Sequence, residues 1–366
     1  MNRRKIKILH VGLSNNIGGI EIFLKNLSCY VDSSEFIFDY IALSKDSVLV
    51  DYFIDKKLKV HYLPSIKKAK EYICKFIEIL NENNYDIVHF HKNSAANILL
   101  YILAKTKKVK TIIHSHNTSS NYGKFTNLIH HINKKIFIRY ADLKISCGEK
   151  AAVWMFGEKG LKRNEVYIIN NGINYKEYEY NECTRNKMRK ILKLDDKLVY
   201  GHVGRFEKQK NHDFLIDIFY EIKQKNNNSV LLLIGEGSLK NNIENKVKCL
   251  NLSDSVYFLG KIENIADYLN AFDVFLLPSL YEGLSISSIE AQVNNLPVIA
   301  SNTIDKTSDI SNNIIFLPLD MSANEWAKKS LIVERNYITG EVNKSYDINS
   351  SFKKLIDLYR GICKNK

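Results

Sequence analysis

The sequence has few of the residues that interrupt or staple a fold. Only four prolines stand in 366 residues, Pro64, Pro278, Pro297 and Pro318, and all fall at the edges of predicted elements, so no predicted element is broken internally. The six cysteines (Cys29, Cys74, Cys147, Cys183, Cys249 and Cys363) are scattered, with no pair at zinc-site or thioredoxin-like spacing. That pattern reads as free thiols in a reducing, cytoplasmic compartment and excludes a disulfide scaffold. No apolar stretch approaches the ~18 residues of a membrane span. The basic start, Met1 to Lys7, is followed only by the short apolar run Ile8–Leu13 and no small-residue cleavage site, which reads as a first strand and not a signal peptide. No G-x-G-x-x-G follows that strand, since Gly12 and Gly18-Gly19 do not fit the spacing, and this disfavours a nicotinamide dehydrogenase. No repeat of solenoid period and no metal-ligand spacing among His, Cys, Asp or Glu is present.

What is there in quantity is apolar and basic. Hydrophobic residues make up 45 % and aromatics 11 %, enough for packed cores, and the length favours two domains. The net charge is +13. It is unevenly placed: residues 1–180 hold 28 Lys/Arg against 17 Asp/Glu, and the remainder 25 against 23. The N-terminal half therefore expects an acidic partner, such as nucleic acid, an anionic membrane face or a phosphorylated substrate.

Short apolar runs alternate with longer amphipathic stretches. Ile6–Val11, Phe36–Leu43, Lys59–Leu63, Asp86–Phe90, Val109–His114 and Leu143–Cys147 read as strands. Ile66, Ala69, Ile73, Phe76, Ile77 and Leu80 recur at helical spacing, as do Phe125, Leu128, Ile129, Ile132 and Ile136. The charged, Asn-rich stretch Glu177–Arg185 is the candidate linker. A second alternation follows, with strands at Leu198–Val203, Val230–Ile234, Ser255–Leu259, Val274–Leu277 and Val298–Ala300, and Ser345–Ile362 reads as an amphipathic helix. Strand, helix, strand in this rhythm implies α/β architecture: two Rossmann-like doubly wound domains, each with a parallel sheet covered on both faces, and a ligand site in the cleft they face. The predicted division is 1–180, 181–345 and a C-terminal helix, 346–366, returning to the first domain.

Two segments carry chemistry. In Asp273–Ala291 a strand ends at Pro278, Gly283 allows a tight turn, and Ser285 can cap a helix whose inner stripe is Ile286, Ile289 and Val293. A helix start beside a glycine is an anion site made of backbone N–H groups and the helix dipole. Glu282 before that helix and Glu290 within it would be repelled by a phosphate, so each is assigned to sugar hydroxyls. In Gly201–Asn211, Gly204 turns the chain after a strand and sets Arg205 and Lys210 at its carboxyl end, where a fork and a point charge together can neutralise a diphosphate.

Together these segments resemble the retaining nucleotide-sugar glycosyltransferases of family 4, which have the two-domain GT-B fold, and most closely those of bacterial capsule and exopolysaccharide synthesis. The matching stretches are His114-Ser115-His116-Asn117-Thr118, Asn170-Asn171-Gly172-Ile173, Gly204-Arg205-Phe206 with Lys210-Asn211, Leu233-Ile234-Gly235-Glu236-Gly237 and Ser279-Leu280-Tyr281-Glu282-Gly283. The resemblance implies that Arg205 and Lys210, with Gly204 and Gly235 nearby, meet the donor diphosphate. It implies that Glu290 holds the ribose, that Glu282 touches the transferred sugar, and that backbone N–H groups around Gly283 and Leu284 meet the phosphate. Gly18-Gly19-Ile20-Glu21 resembles the family's glycine-rich loop, with Gly19 free to approach the donor phosphate. His116 matches the active-site histidine near the sugar, and His91 is an acceptor-side candidate, whereas His89 and His114 read as structural.

Two departures stand out. Asn295 occupies the glycine position after the glutamate helix, where it must tolerate a left-handed conformation, and Ser285 replaces a frequent proline, which bears on sugar choice. The implied reaction moves a hexose or N-acetylhexosamine from a nucleotide sugar, expected to be UDP-linked, to a polyprenyl-diphosphate-linked glycan at the inner face of the plasma membrane. No cofactor and no metal are expected, cationic side chains standing where a divalent ion would. The stretch Lys124–Tyr140 is a basic amphipathic candidate for an anionic membrane surface. A sugar-nucleotide epimerase of the same architecture is the alternative enzyme. A nucleic-acid-binding protein is the alternative from another class, disfavoured because the aromatics fall within apolar runs instead of among exposed cations.

Overall fold

A computed structural model describes residues 4–14, 18–42, 49–117, 123–282, 284–335 and 342–364. The chain forms two compact units, residues 1–172 with 345–366, and residues 173–344.

The first unit is built on seven strands: β1 (Ile6–Leu13), β2 (Phe36–Ala42), β3 (Lys59–Tyr62), β4 (Ile87–Lys92), β5 (Lys110–Ser115), β6 (Leu143–Ser146) and β7 (Tyr167–Ile168). They pair in the order β3-β2-β1-β4-β5-β6-β7, all parallel. Alternation along each strand divides the core between the two faces. Ile8, Phe38, Ile87 and Ile112 face the helices Gly19–Tyr30 and Ile348–Lys364, whereas Leu9, Val88, Phe90 and Ile113 face the helices Ala69–Asn83 and Glu149–Lys162. The helix Ile348–Lys364 buries Phe352, Leu355, Ile356 and Tyr359 in the first of these cores. Its Arg360 grips Glu35 with two hydrogen bonds of 2.8 and 2.6 Å.

The second unit repeats the plan with β8 (Leu198–Val203), β9 (Ser229–Ile234), β10 (Val256–Gly260), β11 (Val274–Leu277), β12 (Val298–Ser301) and β13 (Ile314–Leu317), ordered β10-β9-β8-β11-β12-β13 and parallel throughout. β9 and β11 are buried along their whole length, as strands covered on both faces must be. In each unit the order reverses beside the first strand, between β1 and β4 and between β8 and β11. Those are the switch points where the carboxyl ends of strands leave room for a ligand.

Three sequence expectations change. The candidate linker Glu177–Arg185 is not a loop: Glu182–Ile191 is a helix, opened by Asn181, whose side chain accepts from the Thr184 N–H. Arg185 and Arg189 fasten it to the Asp273 carboxylate at 2.5 and 3.2 Å. It buries one apolar side chain, Met188, and is otherwise held by polar contacts, so hydrophobic period gave little sign of it. β7 and β13 were not anticipated, the first because two residues carry no alternation. Finally, the stripe Phe125, Leu128 and Ile132 does not cover the sheet: these side chains are 74, 58 and 58 % exposed, and the helix Lys124–Tyr140 seats itself through His130 and Phe137.

Candidate functional site

The loops after β8, β9 and β11 in the second unit carry most of the predicted site residues. Gly204 donates its N–H to the Ile234 carbonyl, Phe206 donates to Glu236, and Leu239 donates to Phe206, so the loops after β8 and β9 are laced together. Gly235 has φ +142°, and a Cβ there would lie 2.0 Å from the Gly204 carbonyl oxygen, so only glycine permits this approach. Its N–H is given to the Gly260 carbonyl at 2.9 Å, which makes Gly235 a spacer between loops with no free amide.

Lys210 reaches back across Gly204 and forms an ion pair of 2.5 Å with Glu282, whose Oε1 also accepts the Ser279 hydroxyl at 2.7 Å. Asn211 and Gln209 tie the same loop to the carbonyls of Pro278 and Tyr281. Arg205 stands apart: its carbonyl accepts the Glu207 N–H at 2.7 Å, but its side chain has no hydrogen bond or ion pair among the described residues, and the residue is exposed. One cation is therefore preset against a carboxylate, and the other is free for an anion. Gly283 lies outside the described residues, as does Thr118. Ser285 precedes the helix Ile286–Val293, but its hydroxyl makes no cap, contrary to expectation; its carbonyl takes the Ile289 N–H and the Ser288 hydroxyl instead. The first-turn N–H groups of that helix thus lack a side-chain cap, as an anion-accepting start requires. At the other end Asn295 takes φ 59°, and Leu296 N–H closes on the Ala291 carbonyl, so asparagine does serve in the glycine position.

Glu290 projects from this helix and is 8 % exposed. Burial pushes its carboxyl up to about 7, with Glu177 adding to the rise and the Tyr178 hydroxyl and Lys210 opposing it. Tyr178 was not singled out from the sequence, because it lies far from the motif and within the stretch read as linker.

In the first unit the loop between β1 and the helix Gly19–Tyr30 is closed by Glu21. One carboxylate oxygen accepts the Ser14 N–H and hydroxyl at 2.9 and 2.7 Å, and the other accepts the Gly18 N–H at 2.9 Å. A Cβ on Gly19 would meet the Asn171 amide at 3.6 Å, an ordinary contact, so the position would tolerate a side chain's first carbon. His116 directly follows β5, and its Nε2 contacts His91 Nδ1 at 3.0 Å. His91 is 3 % exposed and also meets His10 Nδ1 at 3.1 Å. Both its nitrogens are thus engaged, and it stands one step behind His116.

The sequence shows no metal-ligand spacing, yet parallel strands bring two sets of three histidines together. His10, His89 and His91, and His91, His114 and His116, each place ring nitrogens within 4.8 Å of one another. Their rings lie over one another, with centroids 4.1 Å apart for His89 and His91 and 4.0 Å for His114 and His116. Within these sets His10, His91 and His116 are joined by hydrogen bonds, His89 Nδ1 meets the Tyr359 hydroxyl at 2.6 Å, and neither nitrogen of His114 has a partner among the described residues.

Comparison with known proteins follows the same division. Residues 17–177 match the model of Glycosyltransferase Family 4, and residues 184–345 match that of Glycosyl transferases group 1. The chain is a glycosyltransferase, its first domain of the Family 4 kind and its second of group 1. The transferase is 27 % identical to the capsular polysaccharide biosynthesis glycosyltransferase CapH of Staphylococcus aureus, over 97 % of this chain and 98 % of that one. It is 25 % identical to the Escherichia coli UDP-Gal:alpha-D-GlcNAc-diphosphoundecaprenol alpha-1,3-galactosyltransferase, over 99 and 92 %. Among solved structures, Anabaena Alr3699/HepE in complex with UDP superposes with a TM-score of 0.74 at 16 % identity, covering 99 % of both chains. The fold is GT-B, and the named relatives are enzymes of capsule and polysaccharide synthesis.

Proposed function

We propose that the transferase moves a sugar from a nucleoside diphosphate donor, UDP-linked, to a polyprenyl-diphosphate-linked glycan with retention of configuration. The observation that carries the donor half is the convergence of Lys210, Glu282 and Glu290 around the carboxyl ends of β8 and β11, beside the unpaired Arg205. Arg205, Lys210 and the helix start at Ile286 stabilise the negative charge that develops as the sugar–phosphate bond breaks. Glu290 accepts both ribose hydroxyls, and Glu282 orients the transferred sugar. The acceptor hydroxyl bonds to the anomeric carbon on the face the diphosphate leaves, and its proton passes to the departing phosphate oxygen. Two fixed cations supply the charge that a divalent ion would, so the reaction proceeds without metal. A structural neighbour solved in complex with UDP and a relative named as acting on a diphosphoundecaprenol-linked sugar support both substrates.

Calorimetric titration with UDP in the presence of EDTA tests the donor site. One-to-one binding is expected, tighter at pH 8 than at pH 6. A carboxyl titrating at about 7 is mostly ionised at the higher pH and about one-tenth ionised at the lower, so its share of affinity falls about tenfold. The diphosphate itself gains protons near pH 6, and Glu290→Gln isolates the protein's share by flattening the dependence. Absence of UDP binding at pH 8 overturns the reading.

The charge distribution supports the acceptor half. The first unit holds 32 Lys/Arg against 17 Asp/Glu, and the second 21 against 23. The whole cationic excess therefore lies in the unit assigned to the acceptor. On the helix Lys124–Tyr140, exposed Phe125, Leu128 and Ile132 run alongside exposed Lys124, Lys135 and Arg139, the pattern of a helix lying in an anionic bilayer surface. No helix among the described residues is long and apolar enough to cross a membrane. The protein is expected to float with vesicles containing anionic lipid, less so in high salt, and a Phe125→Ser, Leu128→Ser double variant to remain in the soluble fraction. Flotation indifferent to lipid charge contradicts the assignment.

A further inference from the structure

His10, His89, His91, His114 and His116 project from one face of the first sheet, the face that carries Ile8, Ile87 and Ile112. In register, His10 stands opposite His89 on β4, and His91 opposite His114 on β5. The hydrogen bonds run diagonally across this grid, from His10 Nδ1 to His91 Nε2 at 3.1 Å and from His91 Nδ1 to His116 Nε2 at 3.0 Å. Each step advances toward the carboxyl edge of the sheet, from fully buried His10 to partly exposed His116. Gly12 makes the middle step possible, since a Cβ there would lie 2.7 Å from His91 Cβ.

Burial holds all three rings far below the usual histidine range, with His10 and His116 at about 3, so each is neutral near pH 7. A neutral imidazole has one N–H and one lone pair, and two facing nitrogens bond only when one of them is protonated. The chain therefore has two consistent states: protons on Nδ1 of all three rings, or on Nε2 of all three. Any mixture sets N–H against N–H or lone pair against lone pair and leaves a buried hydrogen bond unmade. In the first state His116 shows an N–H at Nδ1, and in the second a lone pair. The inner end is closed: His10 Nε2 has no hydrogen-bond partner among the described residues, and its ring lies 4.6 Å from Phe38 and 5.4 Å from Tyr40. His116 Nδ1, at the outer end, is buried in this structure and also lacks a partner among the described residues.

We propose that His10, acting through His91, is a positioning residue that locks the tautomer of His116 to its own, and so limits whether that ring offers the reacting sugar or hydroxyl an N–H or a lone pair. The identity of the group it meets rests on the transferase reading above; the coupling of the three rings does not.

Nitrogen-15 NMR of histidine-labelled protein, without substrates, reads the tautomers directly. The same ring nitrogen is expected to be protonated on His10, His91 and His116, unchanged from pH 6 to 8. His10→Phe keeps a ring in the space and removes its nitrogens, so His116 is expected to become a mixture of tautomers. His10→Asn, which offers an amide near the former Nδ1, restores a single one. In a transfer assay His10→Phe is expected to lower kcat about 10- to 100-fold, as loss of an orienting partner does, with donor KM unchanged. Opposite protonation of His91 and His116 in the wild-type protein overturns the proposal, and that result stands even should His10→Phe fail to fold. A His116 spectrum unaltered in folded His10→Phe overturns it too, including when kcat falls. If the transferase reading were wrong, transfer would be absent while the tautomer result stood.

Discussion

Arg205→Ala and Lys210→Ala are each expected to lower kcat/KM by about 10²- to 10³-fold, the loss that follows removal of one preorganised charge from a developing anion. The two variants should differ in everything else. Arg205 is exposed and its side chain is without a partner among the described residues, so its removal leaves the melting temperature unchanged and acts on the reaction alone. Lys210 is paired at 2.5 Å with Glu282, whose side chain is 7 % exposed. Removing the cation strands a buried carboxylate, and such a break is costly. Lys210→Ala is therefore expected to lower stability as well as turnover, and Lys210→Ala with Glu282→Gln to regain the stability without the activity. Thermal unfolding and steady-state transfer of the three variants measure both. Near-normal transfer by Arg205→Ala would remove the donor assignment.

The largest effect on folding is expected at the far end of the chain. Leu355 is fully buried among Phe36, Phe38 and Ile87 on the first sheet, with Phe352 and Tyr359 beside it. Leu355→Ala deletes three buried heavy atoms in a site walled by a rigid sheet and is expected to cost about 2–5 kcal/mol. Lys353→Ala, one helical face away and exposed, is expected to cost less than about 0.5 kcal/mol. Urea unfolding of both compares them. Equal effects would mean that the helix Ile348–Lys364 does not share the core of the first unit.

Where hydrophobic period decides structure, the sequence was read to within a residue or two. β8 and β11 have the predicted ends, and the strands of the first sheet shift only at their edges. Where polar contacts decide, it was not. The helix Glu182–Ile191 is held by arginines on Asp273, and no periodic apolar residue announces it. Phe125, Leu128 and Ile132 have the right period for a buried face, but period does not say which way a face turns, and here it turns to solvent. The donor motif was legible because Arg205, Lys210, Glu282 and Glu290 lie in two short segments. The Lys210–Glu282 pair was not, because spacing within a segment carries no information on contacts between segments. The histidines show this most plainly: His10 and His91 lie on two strands and His116 directly follows a third, and only the parallel order β1-β4-β5 turns scattered single residues into a chain.

The central claim is sugar transfer from UDP to a lipid diphosphate, and one measurement tests it most directly. The protein is incubated in EDTA with a panel of UDP-sugars and a polyprenyl-diphosphate-linked glycan, and the lipid product is read by mass and anomeric proton coupling. One donor is expected to add a single sugar with its configuration retained, and the same donor without acceptor to stay unchanged. Epimerised donor in place of extended lipid, from protein that binds UDP, would contradict the account.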